Sequence, residues 1–228
     1  MNSFNYKKKR EAVKNRILTA RLYSVYSLLI ALLSFFIIAW TVFINEGRSL
    51  DEKVFAAISP HITDSRTKFM LFISFLGNHT FLIPANLLLI TFFVARNKKG
   101  LAIRVGIIAL ANVFLMSLLK RYFHRLRPEH PLVEGITNFS FPSGHAFMSV
   151  AFYGFLMWYA AVSIDNKKIE RSIIVFLLLV IFAIGFSRIY LRVHYATDVL
   201  AGFCIGFAFL MVCLWLTDKL QEPREIID

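Results

Sequence analysis

The chain contains a series of apolar runs long enough to cross a lipid bilayer, and nothing else in it constrains the fold as strongly. A helix needs about 20 apolar residues to span the hydrocarbon core. Leu22 to Ile44 is an uncharged run of 23 residues. A basic segment precedes it, as in a signal peptide, but a signal core holds only about 7–15 residues. No small-x-small cleavage site follows, so the run reads as an uncleaved first span. Phe69 to Ala95 is a second stretch, interrupted by Gly77-Asn78-His79; Thr80–Ala95 alone is short for a span, so its helix is expected to begin upstream, with polar residues near its entry. Further spans are expected at Leu101–Leu119, His145–Val162, Ile173–Ser187 and Asp198–Thr217. Lipid offers backbone amides no partner, so such runs predict helices that satisfy their own hydrogen bonds.

The expected fold is therefore all-α: a six-helix membrane bundle over 22–217, with a basic tail at 1–21 and a short tail at 218–228. Composition agrees. The chain is 57% apolar and 18% charged, against about 45–50% and 25% in soluble domains. That balance excludes a disordered chain, a collagen-like repeat and a disulfide scaffold. Cys204 and Cys213 lie in one apolar run, about half a turn out of phase, and cannot bridge within that helix. Their spacing matches no metal site.

The net charge of +12 points to anionic lipid headgroups rather than nucleic acid, because the basic residues lie between apolar runs. Six spans put both termini on one side. That side carries 16 Lys and Arg against 10 opposite, which predicts cytoplasmic termini in the plasma membrane. Six of the opposite ten crowd into Lys120–Arg127 and Arg188–Arg192. Cations on the side that usually lacks them call for a function.

Three segments carry unusual polar residues, all at the non-cytoplasmic ends of spans. In the first, Lys120 and Arg127 are seven apart, so a continuing helix ended by Pro128 would put them on one face, fit for a polyanion. Interfacial snorkelling is the plainer alternative. The second, Phe141-Pro142-Ser143-Gly144-His145, opens the fourth span. Ser143 reads equally as an N-cap or an anion ligand, Gly144 allows close backbone approach, and His145 titrates near neutrality. In the third, Ser187-Arg188 is followed by His194 and Asp198. These last two stand at i and i+4, so on a helix they share a face; Asp198 reads as an imidazole partner or as a helix cap.

Together the segments contain Lys-x6-Arg-Pro, Pro-Ser-Gly-His and Ser-Arg-x5-His-x3-Asp, all eleven fixed positions in order. The chain thereby resembles the type 2 phosphatidic acid phosphatase superfamily, tightly over 120–198 and more loosely in its six-span layout. The resemblance implies dephosphorylation through a phosphohistidine. His194 would be the nucleophile, Asp198 its orienting partner and His145 the general acid and base. Lys120, Arg127, Arg188, Ser143 and Gly144 would surround the phosphate, with no metal or other cofactor. The expected substrate is a phosphorylated membrane lipid: phosphatidate, phosphatidylglycerophosphate or undecaprenyl diphosphate. A lipid phosphotransferase, a vanadium haloperoxidase and a non-catalytic lipid transporter are the competing readings.

Arg121, His124, Arg125, Arg192 and Tyr195 read as interfacial residues near the site. Asn78 and His79 are candidate cavity residues, and Gly202 with Gly206 reads as a helix-packing motif. The sequence has no signal of oligomeric state.

Overall fold

A computed structural model describes residues 3–44, 49–136 and 138–218, with side chains from residue 22 onward. Of the tail placed at 218–228, only Asp218 is among them, and the side chains of the basic stretch 1–21 lie outside them. The described chain is helical: α1 (Ser3–Phe43), α2 (Ser49–Ile58), a 3-10 turn (Ser59–His61), α3 (Asp64–Phe75), α4 (His79–Ala95), α5 (Lys99–Phe123), α6 (Gly144–Ser163), α7 (Lys167–Tyr190) and α8 (Ala196–Thr217). Among the described residues, six segments are long and apolar enough to cross a membrane: Leu22–Phe43, Asp64–Ala95, α5, α6, α7 and α8.

The second segment is two helices. α3 starts at the Thr63 cap, and α4 starts where Asn78 Oδ1 accepts from the Thr80 amide at 3.1 Å. Gly77 sits at the break, because a Cβ there would stand 2.5 Å from Ile184 Cγ2 and 3.0 Å from Ser149 Oγ. The break therefore lies directly on α6 and α7, with the His145 ring beside it.

α6 is the centre of the bundle, packed against α8 and α7, while α1 covers α8, α4 packs on α5 and α3 packs on α7. Its contact with α8 is close because Gly202 and Gly206 face the α6 backbone, the intramolecular packing expected of that pair. One core cluster joins Phe93, Val105 and Ile108 to Phe147, Phe155 and Leu210. A second, of Phe35, Phe43, Phe123 and Phe141, ties the loop before α6 to α1 and the end of α5 through ring contacts of 4.9–6.0 Å. Large apolar side chains such as Leu29, Phe36, Leu88, Leu110 and Trp215 are exposed. In water such a surface would drive association; in a bilayer it meets lipid.

Two local expectations need correction. α5 stops at Phe123, where His124 takes a left-handed conformation (φ 47°), so Pro128 does not end the helix and Arg127 does not share a helical face with Lys120. His194 precedes α8 rather than lying on it, so its approach to Asp198 is not helical i, i+4 stacking. Arg104, inside the expected third span, lies within α5 and is fully buried, bonded to Asp218 at 3.0 Å and stacked 4.6 Å from the Trp158 ring.

Candidate active site

Lys120, Arg127, Gly144, His145, Arg188 and His194 line one cavity of about 470 Å³. Each arrives from a different local cause. Lys120 occupies the last turn of α5 and donates to the Phe139 carbonyl at 3.0 Å and Asn138 Oδ1 at 3.3 Å. Arg127 returns to the same place from the loop. Its Nε donates to the Asn138 carbonyl at 2.7 Å, and its other nitrogens bond Asn138 Oδ1 and the Val193 carbonyl. The left-handed turn at His124 and the loop after it, rather than a shared helical face, thus bring the two cations together.

Ser143 caps α6, its Oγ accepting from the Ala146 amide at 3.5 Å, and is fully buried behind the cavity wall. Of the two readings open at that position the structure displays the cap. Gly144 and His145 form the first turn of α6 and face the cavity. Arg188 comes from the last turn of α7. Its Nη1 bonds Ser74 Oγ on α3, while its carbonyl accepts from the His194 amide at 3.3 Å. Neither His145 Nε2 nor Arg188 Nε has a hydrogen-bond partner among the described residues. Buried polar atoms left unpaired are costly, and both of these belong to residues that line the cavity.

His194 is almost fully buried in the loop between α7 and α8. Its Nδ1 stands 3.5 Å from Asp198 Oδ2, an ion-pair approach longer than a good hydrogen bond; bonds of this kind often tighten only with substrate. Its Nε2 faces Arg127 Nη1 at 3.3 Å. Burial pushes the imidazole down to about pKa 3, with Asp198 opposing the shift. The ring is therefore neutral at physiological pH and keeps a free lone pair. Burial likewise lowers the Arg127 guanidinium to about 10, still protonated at neutrality.

Asp198 is fully buried behind His194 and does not line the cavity. As the third residue of α8 it accepts from the Tyr195 amide at 2.9 Å, and it also faces the imidazole. Ser140 Oγ bonds the same carboxylate, and Arg125 Nη1 donates to it at 2.5 Å.

Arg125 and Ser140 were not legible as site residues. Their partners lie 73 and 58 positions away, and no spacing rule reports such a contact. Asn78 and His79 do line the cavity, as does Asn138. Leu71 on α3 and Val113 on α5 complete one flank, and both are exposed on the outer surface of the bundle.

A model of the PAP2 superfamily matches residues 100–222, more than half of the chain and all three segments of the cavity. The chain belongs to the PAP2 superfamily. Among similar proteins, phosphatidylglycerophosphatase B of Bacillus subtilis is 26% identical over 196 residues, covering 85% of this chain and 96% of that protein. The undecaprenyl-diphosphatase of Sulfolobus acidocaldarius is 27% identical over 165 residues, covering 69% and 75%. The crystal structure of a transmembrane PAP2-type phosphatidylglycerolphosphate phosphatase from Bacillus subtilis superposes with a TM-score of 0.78 at 25% identity, covering 87% of this chain and 100% of that one. Membership and these similarities make the chain an enzyme of the lipid phosphate phosphatase class.

Proposed function

We propose that this PAP2 enzyme hydrolyses the phosphate monoester or diphosphate of a membrane lipid through a phosphohistidine on His194, without a metal. The observation that carries the reading is the meeting of two histidines and three cations in one cavity. The neutral His194 attacks phosphorus through Nε2, and the bond from phosphorus to the leaving oxygen breaks; that oxygen is the lipid alcohol oxygen of a monoester or the bridging oxygen of a diphosphate. The pair of electrons leaves on that oxygen, which takes a proton from His145. The positive charge gained by the imidazole is stabilised by Asp198. Water then attacks the phosphohistidine, gives its proton to His145 and releases inorganic phosphate. Lys120, Arg127 and Arg188 hold the equatorial oxygens. One cation 4 Å from an anion contributes about 4 kcal/mol at an effective dielectric of 20, so three supply the charge stabilisation that a metal gives other phosphoryl-transfer enzymes.

The exposed flank at Leu71 and Val113 supports a substrate that stays in the bilayer while its headgroup enters. The excess of Lys and Arg on the other side supports cytoplasmic termini and a cavity on the non-cytoplasmic face of the plasma membrane. Similarity to the two named phosphatases supports phosphatidylglycerophosphate and undecaprenyl diphosphate as substrates, with phosphatidate the third candidate.

Phosphate release from each of these lipids by detergent-purified protein tests the proposal. Wild-type protein is expected to release free phosphate with chelator present and to form an acid-labile, base-stable phosphoenzyme. His194→Ala is expected to do neither. Retention of most activity by His194→Ala, or a strict metal requirement, would refute it.

A further inference from the structure

Arg125 lies outside the fixed positions of the family signature, and Asp51 lies outside the 100–222 region that the family model covers. Both nevertheless end at the nucleophile. The Arg125 side chain is 13% exposed and lies 4.0 Å over the Tyr195 ring. Its Nη1 donates to Asp198 Oδ1 at 2.5 Å and to Thr197 Oγ1 at 2.8 Å, and its Nη2 donates to Asp51 Oδ2 at 2.9 Å. Asp51, on α2, is 1% exposed. Its two oxygens accept from the Thr197 amide at 3.0 Å and the Thr197 hydroxyl at 2.8 Å. One guanidinium therefore bridges two buried carboxylates, and one of these faces His194.

Within this hydrogen-bonded network the charges do not balance while His194 is neutral, although Lys120 and Arg127 act on Asp198 from the cavity side without bonding it. Asp51, Arg125 and Asp198 sum to one buried negative charge, which is costly in a poorly solvated interior. Attack on phosphorus makes the imidazole cationic, and the excess then finds its partner. Without Asp51, Arg125 would belong to Asp198 alone and cancel the charge the imidazole needs. Arg127, 3.3 Å from Nε2, faces the opposite side of the ring from Asp198 and bonds Asn138 and the Val193 carbonyl rather than Asp198. We infer that Arg125 and Asp51 are positioning residues for His194: they act through Asp198, holding its carboxylate in place and leaving its charge available to the reacting imidazole.

The inference rests on the phosphohistidine reading and is tested on the full-length protein in detergent with Asp51→Asn, which keeps the side-chain shape, and Arg125→Lys. Each is expected to lower kcat about tenfold or more, and to slow phosphoenzyme formation in single turnover. The KM for the lipid phosphate should change less than about threefold, because neither side chain touches substrate. Combined with Asp198→Asn, Asp51→Asn should cost nothing further, since its route to the imidazole is already cut. If one of the two variants fails to fold, the other decides. Wild-type kcat in a folded variant, a raised KM at unchanged kcat, or additive loss in the double variant overturns the inference. Hydrolysis by wild type with no phosphoenzyme would instead overturn the reading beneath it.

Discussion

Gly202→Ala should injure catalysis from inside the helix packing. A Cβ at Gly202 would stand 2.7 Å from the Ser143 carbonyl oxygen and 3.0 Å from Ala146 Cβ, about 0.7 Å inside the 3.4 Å where ordinary contact begins. The obstructing oxygen belongs to the backbone, at the first turn of α6, and it already accepts from the Phe147 amide at 3.0 Å. No side-chain rotation relieves the overlap, so α8 must move from α6 by several tenths of an ångström. Overpacking of this kind costs about 1–3 kcal/mol. The displacement also falls between the two halves of the site. Gly144 and His145 ride on α6, Asp198 rides on α8, and the Ser143 amide bonds the Asp198 carbonyl at 2.9 Å across the gap. A misplacement of about 1 Å can cost 10²-fold, so kcat should fall about tenfold to a hundredfold. Phosphate release at saturating lipid, with thermal unfolding in the same detergent, measures both effects. Gly106→Ala, whose Cβ meets nothing within 4 Å, is the control and should keep the wild-type rate. Wild-type turnover by Gly202→Ala, or lost stability with turnover intact, would refute the link from packing to chemistry.

Protonation of His194 gives a stability prediction of definite sign. Its folded pKa, about 3, lies below the unfolded value of 6.5. The unfolded chain thus binds the extra proton first, and the contribution of this group, full above about pH 6.5, is lost as pH falls toward 3. Between pH 7 and pH 4, wild type should lose more thermal stability than His194→Gln; parallel losses would contradict it. Arg127→Lys should lose about 10²-fold in kcat/KM, because an ammonium cannot hold Val193 and Asn138 while presenting a further N–H to phosphate. Competition by orthovanadate should weaken in parallel, and unchanged inhibition would place Arg127 away from the phosphate.

The spans were legible because lipid imposes a length and an apolar composition, and even the break at Gly77-Asn78-His79 appeared as a polar interruption. Lys120, Arg127, Gly144, His145, Arg188 and His194 were legible as one set because the signature fixes them in order. Their means of meeting was not. The left-handed turn at His124 depends on how the following loop packs, with the His124 ring against Phe139 at 4.6 Å, and no local residue pattern demands it. Arg125 read as one more interfacial cation because its two acidic partners lie 74 positions before it and 73 after. Asp51 carried no signal at all, since a carboxylate in the first turn of an amphipathic helix is ordinary helix chemistry.

The cavity flank between Leu71 and Val113 has a consequence for how such an enzyme experiences its substrate. Where only the headgroup is gripped and the chains stay among neighbouring lipids, the governing concentration is the mole fraction of phosphorylated lipid in one leaflet, not its amount per volume. Neutral lipid then acts as diluent, and turnover should fall with it even when the total quantity of substrate is held constant.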